Sequence, residues 1–225
     1  MLDLTGSPRV PSSSGQVQIR LRETIEEERG QCIALSYCWG QETEYHFTTT
    51  SQNLGQHREG INFDSLPLTQ REAILVALYL EVRYLWIDSL CIIQDVASDW
   101  AAEAAKMSSV YSSAMLTLAA TASQSPRDGL LNPFQSARCV PVDDDIAMIR
   151  MQTHTDVDSA SAPLNTRPWT LQEAILSRRI VSFGSEQWLW RCSRRCTTED
   201  GFEDRAPMKT EGLYRAPLSA IRKAG

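Results

Sequence analysis

Two continuous apolar runs constrain this chain most: Cys32-Ile-Ala-Leu-Ser-Tyr-Cys38 and Tyr84-Leu-Trp-Ile-Asp-Ser-Leu-Cys-Ile-Ile93. Neither alternates polar with apolar residues, and each is far short of the roughly 20 residues that cross a bilayer. Such runs mark strands buried on both faces, as in parallel sheets covered by helices. Between them, Thr69-Gln-Arg-Glu72 fits a capping box, in which a hydroxyl and a carboxylate satisfy free N–H groups at a helix start. Pro67 just ahead is compatible with that start, and the helix is predicted to run to Glu81. Strand, helix and buried strand in succession predict a βαβ unit and a parallel sheet.

The rest of the chain extends this α/β pattern. Residues 1–16 are rich in Ser, Pro and Gly and read as a flexible lead-in. Gln16-Val-Gln-Ile-Arg-Leu21 alternates, predicting a short half-exposed strand, and residues 41–66 read as loop. A second helix is expected from Ser98 or Asp99, with Trp100, Ala104, Met107 and Tyr111 as its apolar stripe. Ala114 to Ala120 reads as a third strand, and Cys139 to Met151 as short strands around Asp143-Asp-Asp145. After a polar loop at 153–166, Thr166-Arg-Pro-Trp169 opens a third helix, and Ile180–Phe183 with Gln187–Cys192 suggests a C-terminal hairpin. The expected organisation is therefore a lead-in (1–16), one domain (17–192) and a polar extension (193–225).

A net charge of -6 excludes a general polyanion binder, which needs a dense Lys/Arg surface; no nucleic-acid partner is expected. The first residues lack the basic start and apolar run of a secretion signal. The apolar stretch Ala73–Leu80 is too short for a membrane span, so no membrane partner is expected either. Without export, the six cysteines read as reduced thiols in a cytoplasmic chain. There is no G-x-G-x-x-G, Gly-Lys-Ser/Thr, H-E-x-x-H or G-x-S-x-G motif. The three histidines (His46, His57, His154) are scattered, and Cys192-Ser-Arg-Arg-Cys196 lacks a second ligand pair for zinc. Neither a metal nor a bound cofactor is expected.

Three segments carry candidate chemistry. Ser36, Tyr37, Trp39 and Gly40 end the first buried run, where open α/β sheets gather ligands; this segment alone favours Tyr37 and Trp39 as core and Gly40 as a turn, since most strand-end aromatics simply pack. Asp88 and Ser89 interrupt the second run. A buried carboxylate needs a partner, so Asp88 either holds a ribose hydroxyl or orients a loop, or else accepts bonds from neighbouring backbone N–H groups or an arginine such as Arg83. Trp169 and Glu173 are four apart on the third helix, hence about 5–6 Å apart at Cβ, an aromatic platform beside a carboxylate. Thr170-Leu-Gln-Glu173 also fits a capping box, and spacing alone favours the cap. The Asp143–Asp145 cluster with Asp88 would suit a Mg²⁺-dependent hydrolase, although an acidic run is more often a solvated loop.

Taken together, Ala34-Leu-Ser-Tyr-Cys-Trp-Gly40, Tyr84-Leu-Trp-Ile-Asp-Ser-Leu-Cys-Ile-Ile-Gln94 and Arg167-Pro-Trp-Thr-Leu-Gln-Glu173 resemble the signature of the fungal heterokaryon-incompatibility (HET) domain across residues 32–180. The Met107…Tyr111…Ala114 stretch and Asp128-Gly129 also look like family features. The resemblance implies a death-inducing signalling domain of non-self recognition, with an upstream receptor or incompatibility partner. HET domains are in turn similar to TIR domains, which implies a flavodoxin-like, mostly parallel sheet flanked by helices and self-association on activation. Some TIR domains cleave NAD at the nicotinamide–ribose bond with one glutamate in a Trp-Cys-x-x-Glu helix start. Trp169-Thr-Leu-Gln-Glu173 has that spacing, with Thr170 in place of cysteine. On this alignment Glu173 is the catalytic residue, NAD is the substrate, and Ser36, Tyr37, Trp39, Asp88, Ser89 and Trp169 bind it. The alternative is a non-enzymatic TIR-like adaptor. Members of the family are often longer, so the resemblance is also compatible with a fragment.

Overall fold

The computed structural model describes residues 1–12, 14–24, 29–41, 46–131, 162–167, 169–185, 187–199, 201, 203 and 204. Within them lie nine strands: β1 (Leu2–Asp3), β2 (Arg20–Leu21), β3 (Cys32–Ser36), β4 (Tyr84–Trp86), β5 (Leu116–Ala119), β6 (Arg179–Phe183), β7 (Trp188–Cys192), β8 (Cys196–Thr198) and β9 (Glu203–Asp204). The helices are α1 (Leu54–Glu59), α2 (Leu68–Tyr79), α3 (Asp88–Cys91), α4 (Ala97–Ser113) and α5 (Thr170–Leu176). One mixed sheet joins all nine strands in the order β2-β1-β4-β3-β5-β6-β7-β8-β9. Its centre, β4-β3-β5-β6, is parallel throughout, and antiparallel strands extend both sides.

Successive side chains on a strand face opposite sides, and here both sides are covered. Ile33 and Leu35 pack with Leu85, Leu116 and Leu118 against Ala73, Ile74, Ala77 and Leu78 of α2. From the opposite face, Ala34 and Trp86 pack with Tyr111 and Met107 of α4, while Ala119 and Ile180 meet Leu164 and Ala174 of α5. Full burial on two faces explains the continuous apolar pattern of β3, each such aliphatic side chain contributing about 1.5–3 kcal/mol. The class is α/β, as expected. Between β3 and its two neighbours the chain first turns to β4 on one side and later to β5 on the other, so a crevice is expected beyond the C-terminal end of β3.

Several local expectations are corrected. The lead-in supplies β1, an inner strand whose Leu2 is fully buried. Arg83 grips Asp3 through two bonds of 3.0 and 2.9 Å, which ties β1 to β4. Of Gln16–Leu21 only β2 is strand, and the loop expected at 41–66 contains α1. At the start of α2, Pro67 occupies the cap position without a side-chain cap. Thr69 instead accepts the Gly129 N–H, and Glu72 accepts the N–H groups of Leu130 and Leu131. The presumed capping pair thus anchors a distant segment, whose Gly129 has a left-handed φ of 82°. The sheet also continues past residue 192 into β8 and β9.

The strand expected over Tyr84–Ile93 ends at Trp86, and Asp88–Cys91 turns into α3. Thr49 clamps that turn: its N–H donates to the Ser89 carbonyl and its hydroxyl to the Leu90 carbonyl. Because that hydroxyl proton is committed, His57 Nδ1 is the donor in its 2.9 Å bond to Thr49 Oγ1. α4 starts at Ala97, one residue before Ser98, and Asp99 accepts the Ile93 N–H instead of capping. The readings placed on Cys139–Met151, Asp143–Asp145, His154 and residues 205–225 lie outside the described residues. No helix among the described residues is long and apolar enough to cross a membrane.

Candidate functional site

The C-terminal end of β3 presents Ser36 toward the α4–α5 face. There its hydroxyl donates a hydrogen bond to Oε2 of Glu173, which is only 3% exposed. The capping box at Thr170 therefore does not form. Trp169 sits at the cap position of α5 without a side-chain cap, and the Thr170 hydroxyl donates to the Leu164 carbonyl at 2.8 Å. Leu164 belongs to the turn at Pro163–Thr166 and is buried beside Ala119 and Ile180, so that bond seats α5 on the sheet. With its own N–H bonded to the Trp169 carbonyl, Glu173 is free to send its carboxyl inward.

Burial pushes the Glu173 carboxyl above its ordinary range, because a low-dielectric surrounding disfavours the charged form. The Ser36 hydroxyl, the Arg167 guanidinium and the Tyr111 hydroxyl pull the other way. Tyr111, itself buried, also reaches the Leu35 carbonyl at 3.2 Å. Neither Arg167 nor Tyr111 was a candidate from the sequence. Arg167 opens its motif and Tyr111 closes the α4 stripe, but Arg167 bonds the Tyr37 carbonyl across 130 residues and Tyr111 the Leu35 carbonyl across 76.

Asp88 stands at the first turn of α3 and keeps partial access to solvent. Its Oδ1 accepts the Ser89 N–H at 2.7 Å and its Oδ2 the Trp39 indole N–H at 3.0 Å. Desolvation, then the like charge of Glu173, pushes its pKa up to about 7, with Arg167, Ser89 and Trp39 opposing. Arg83, proposed as its partner, is committed to Asp3 instead. Asp88 thus feels the charge of Glu173, and burial holds both carboxyls above their ordinary range.

The other candidates separate. Trp39 is half-buried, held by Asp88 and edge-on to His46, with ring centres 5.6 Å apart. Tyr37 points to the α2 face, where its hydroxyl donates to Ser89 Oγ at 2.8 Å and Gln70 Nε2 donates to both. Tyr37 and Ser89 are buried in that network, which locks β3, α2 and α3 together and faces away from Glu173. Trp169 is 54% exposed, so it does not share an environment with Glu173 despite the helical spacing. The structure thus brings together Ser36, Asp88, Trp39 and Glu173 and leaves Tyr37, Ser89 and Trp169 outside.

A cleft of about 310 Å³ lined by Leu4, Gly6, Arg9, Leu78, Glu81 and Arg83 lies beyond the N-terminal end of β4, the opposite edge from this cluster. Among the described residues no three His, Cys, Asp or Glu side chains gather as for a metal. Cys32, Cys38, Cys91, Cys192 and Cys196 are free thiols, and burial raises the Cys38 thiol beside Arg167 and Glu173.

A family model described as Heterokaryon incompatibility protein (HET) matches residues 33–173, more than half of the 225 residues. Ser36, Asp88, Tyr111 and Arg167 fall inside that span, and Glu173 is its last residue. The curated proteins and the solved structures yield no match.

Proposed function

The chain belongs to the heterokaryon incompatibility (HET) family, and on that premise we propose that it is a death-inducing signalling domain of fungal non-self recognition that cleaves NAD at the nicotinamide–ribose bond. The observation that carries this reading is the Glu173 carboxyl, buried, turned inward and held by Ser36 at the C-terminal edge of the sheet. The parallel order β4-β3-β5-β6 supports a flavodoxin-like, TIR-like arrangement, in which substrates lie at that edge.

The chemistry follows from the charge. The C–N bond breaks with its electron pair leaving on nicotinamide, which departs neutral, and the ribosyl centre becomes oxocarbenium-like. Ionised Glu173 stabilises that cation, in a low-dielectric site where a fixed charge acts more strongly than in water. Water then adds to the ribosyl carbon and loses a proton, giving ADP-ribose. Ser36 fixes the carboxylate, Asp88 orients the ribose hydroxyls, and Trp39, anchored by Asp88, is the aromatic platform in place of the exposed Trp169. The protein acts in the cytoplasm, self-associates on activation and answers to an upstream receptor or incompatibility partner.

The adaptor reading is kept by one observation: α5 exposes Trp169 and Ile175, at 54% and 46%, apolar surface suited to assembling copies. Expression in fungal cells separates the two. On the enzymatic reading Glu173→Ala abolishes both cell death and NAD loss while the fold is retained. Death with unaltered NAD levels supports the adaptor.

A further inference from the structure

We infer that Arg167 is a positioning residue of the Glu173 site: it ties the loop ahead of α5 to the end of β3 and supplies the cation that allows Glu173 to ionise. This deepens the catalytic reading of Glu173 and rests on it for its consequence, though not for its test.

Three contacts at consecutive or near-consecutive positions of one strand end place the guanidinium. Ser36 bonds Glu173 through its side chain, Tyr37 accepts a bond from Arg167 Nη1 through its carbonyl, and Trp39 bonds Asp88 through its indole. Arg167 and Glu173 therefore approach the strand end at neighbouring residues. The charged and titratable groups facing Glu173 are Asp88 from α3, Tyr111 from α4, Cys38 from the strand end and Arg167 from its own side. Arg167 is the single cation acting on all of them among the described residues.

Two carboxyls in one desolvated cluster cannot both ionise without a counter-charge. Removing the guanidinium leaves only the Ser36 and Tyr111 hydroxyls to oppose desolvation, so Glu173 stays protonated to higher pH and is less able to offset a developing positive charge. The planar fork also suits a carbonyl and a nearby carboxylate at once, whereas a lysine supplies the charge at a single point. An arginine where α5 is introduced thus keeps its charge beside the acids while Nη1 bonds the Tyr37 carbonyl.

The test is the titration of Glu173, followed by infrared spectroscopy of its protonated carboxyl band, identified by its loss in Glu173→Gln. In Arg167→Gln the midpoint is expected to rise by about one unit or more. In Arg167→Lys it is expected to stay within about half a unit of the wild type, the charge being retained. Nicotinamide release by the same samples should show its acid limb moved upward by the same amount in Arg167→Gln, with little loss on the alkaline side. An unmoved Glu173 midpoint in Arg167→Gln overturns the inference. Should that variant fail to fold, a rise of a full unit in Arg167→Lys overturns it instead. A shifted midpoint with no nicotinamide release by any sample leaves this inference standing and removes the NAD reading.

Discussion

The Ser36 hydroxyl donates a hydrogen bond to Glu173 across 137 residues of chain, joining the first strand of the parallel core to the helix that precedes its last. That bond puts the carboxyl at the C-terminal edge of the sheet and keeps it from capping its own helix. What the site can do depends on how this contact balances burial.

Ser36→Ala removes one of the groups that favour the Glu173 anion and leaves a buried acceptor without its donor. A stability loss of about 1–3 kcal/mol is expected in urea denaturation at neutral pH. The Glu173 carboxyl should also titrate at higher pH than in the wild type. Unchanged stability and titration together contradict the contact.

Asp88 links folding to pH. Its pKa rises from 3.8 to about 7 in the folded chain, so the native state holds that proton where the unfolded state has lost it. Its contribution is complete below the unfolded value, declines as pH climbs toward 7, and is lost above the folded value. Asp88→Asn cannot titrate, so its stability relative to wild type should increase steadily between these two values. Denaturation midpoints measured across the range check this; parallel curves contradict it.

Glycine positions give an opposed pair. Gly129 has a left-handed φ, and a Cβ there would lie 2.7 Å from Glu72 Oε2, the carboxylate that holds the Leu130 and Leu131 N–H groups. Gly129→Ala is expected to lower stability by about 1–3 kcal/mol. At Gly55, inside α1, an added Cβ would stand in open space, so replacement by alanine should stabilise the protein by about 0.5–1 kcal/mol. Thermal unfolding of both variants decides.

Much of the fold was legible because burial on two faces leaves a plain trace, as in Ile33-Ala-Leu35 with α2 below and α4 above. The short α3 was not, since Asp88 and Ser89 sit within apolar residues and the turn is clamped by Thr49, 41 positions before Leu90. Strand β1 was hidden by its length of two residues. Both capping boxes misled for one reason: a Thr-x-x-Glu pattern does not reveal whether the side chains bond their own helix or a distant segment. Glu72 chose Leu130 and Leu131, and Glu173 chose Ser36. Ser36, Asp88 and Glu173 could be named from the resemblance, but Arg167 reaches the Tyr37 carbonyl across 130 residues, a relationship no local pattern carries. The exposure of Trp169 was equally invisible, because helical spacing fixes neighbours on a helix and not which of them meets the core.

Nicotinamide released from NAD by the purified protein at high protein concentration, wild type beside Glu173→Gln, tests the central claim most directly. The account predicts steady release by the wild type and a drop of about 100-fold or more in the variant, with both chains equally folded. Equal release by the two, or none from either, contradicts it.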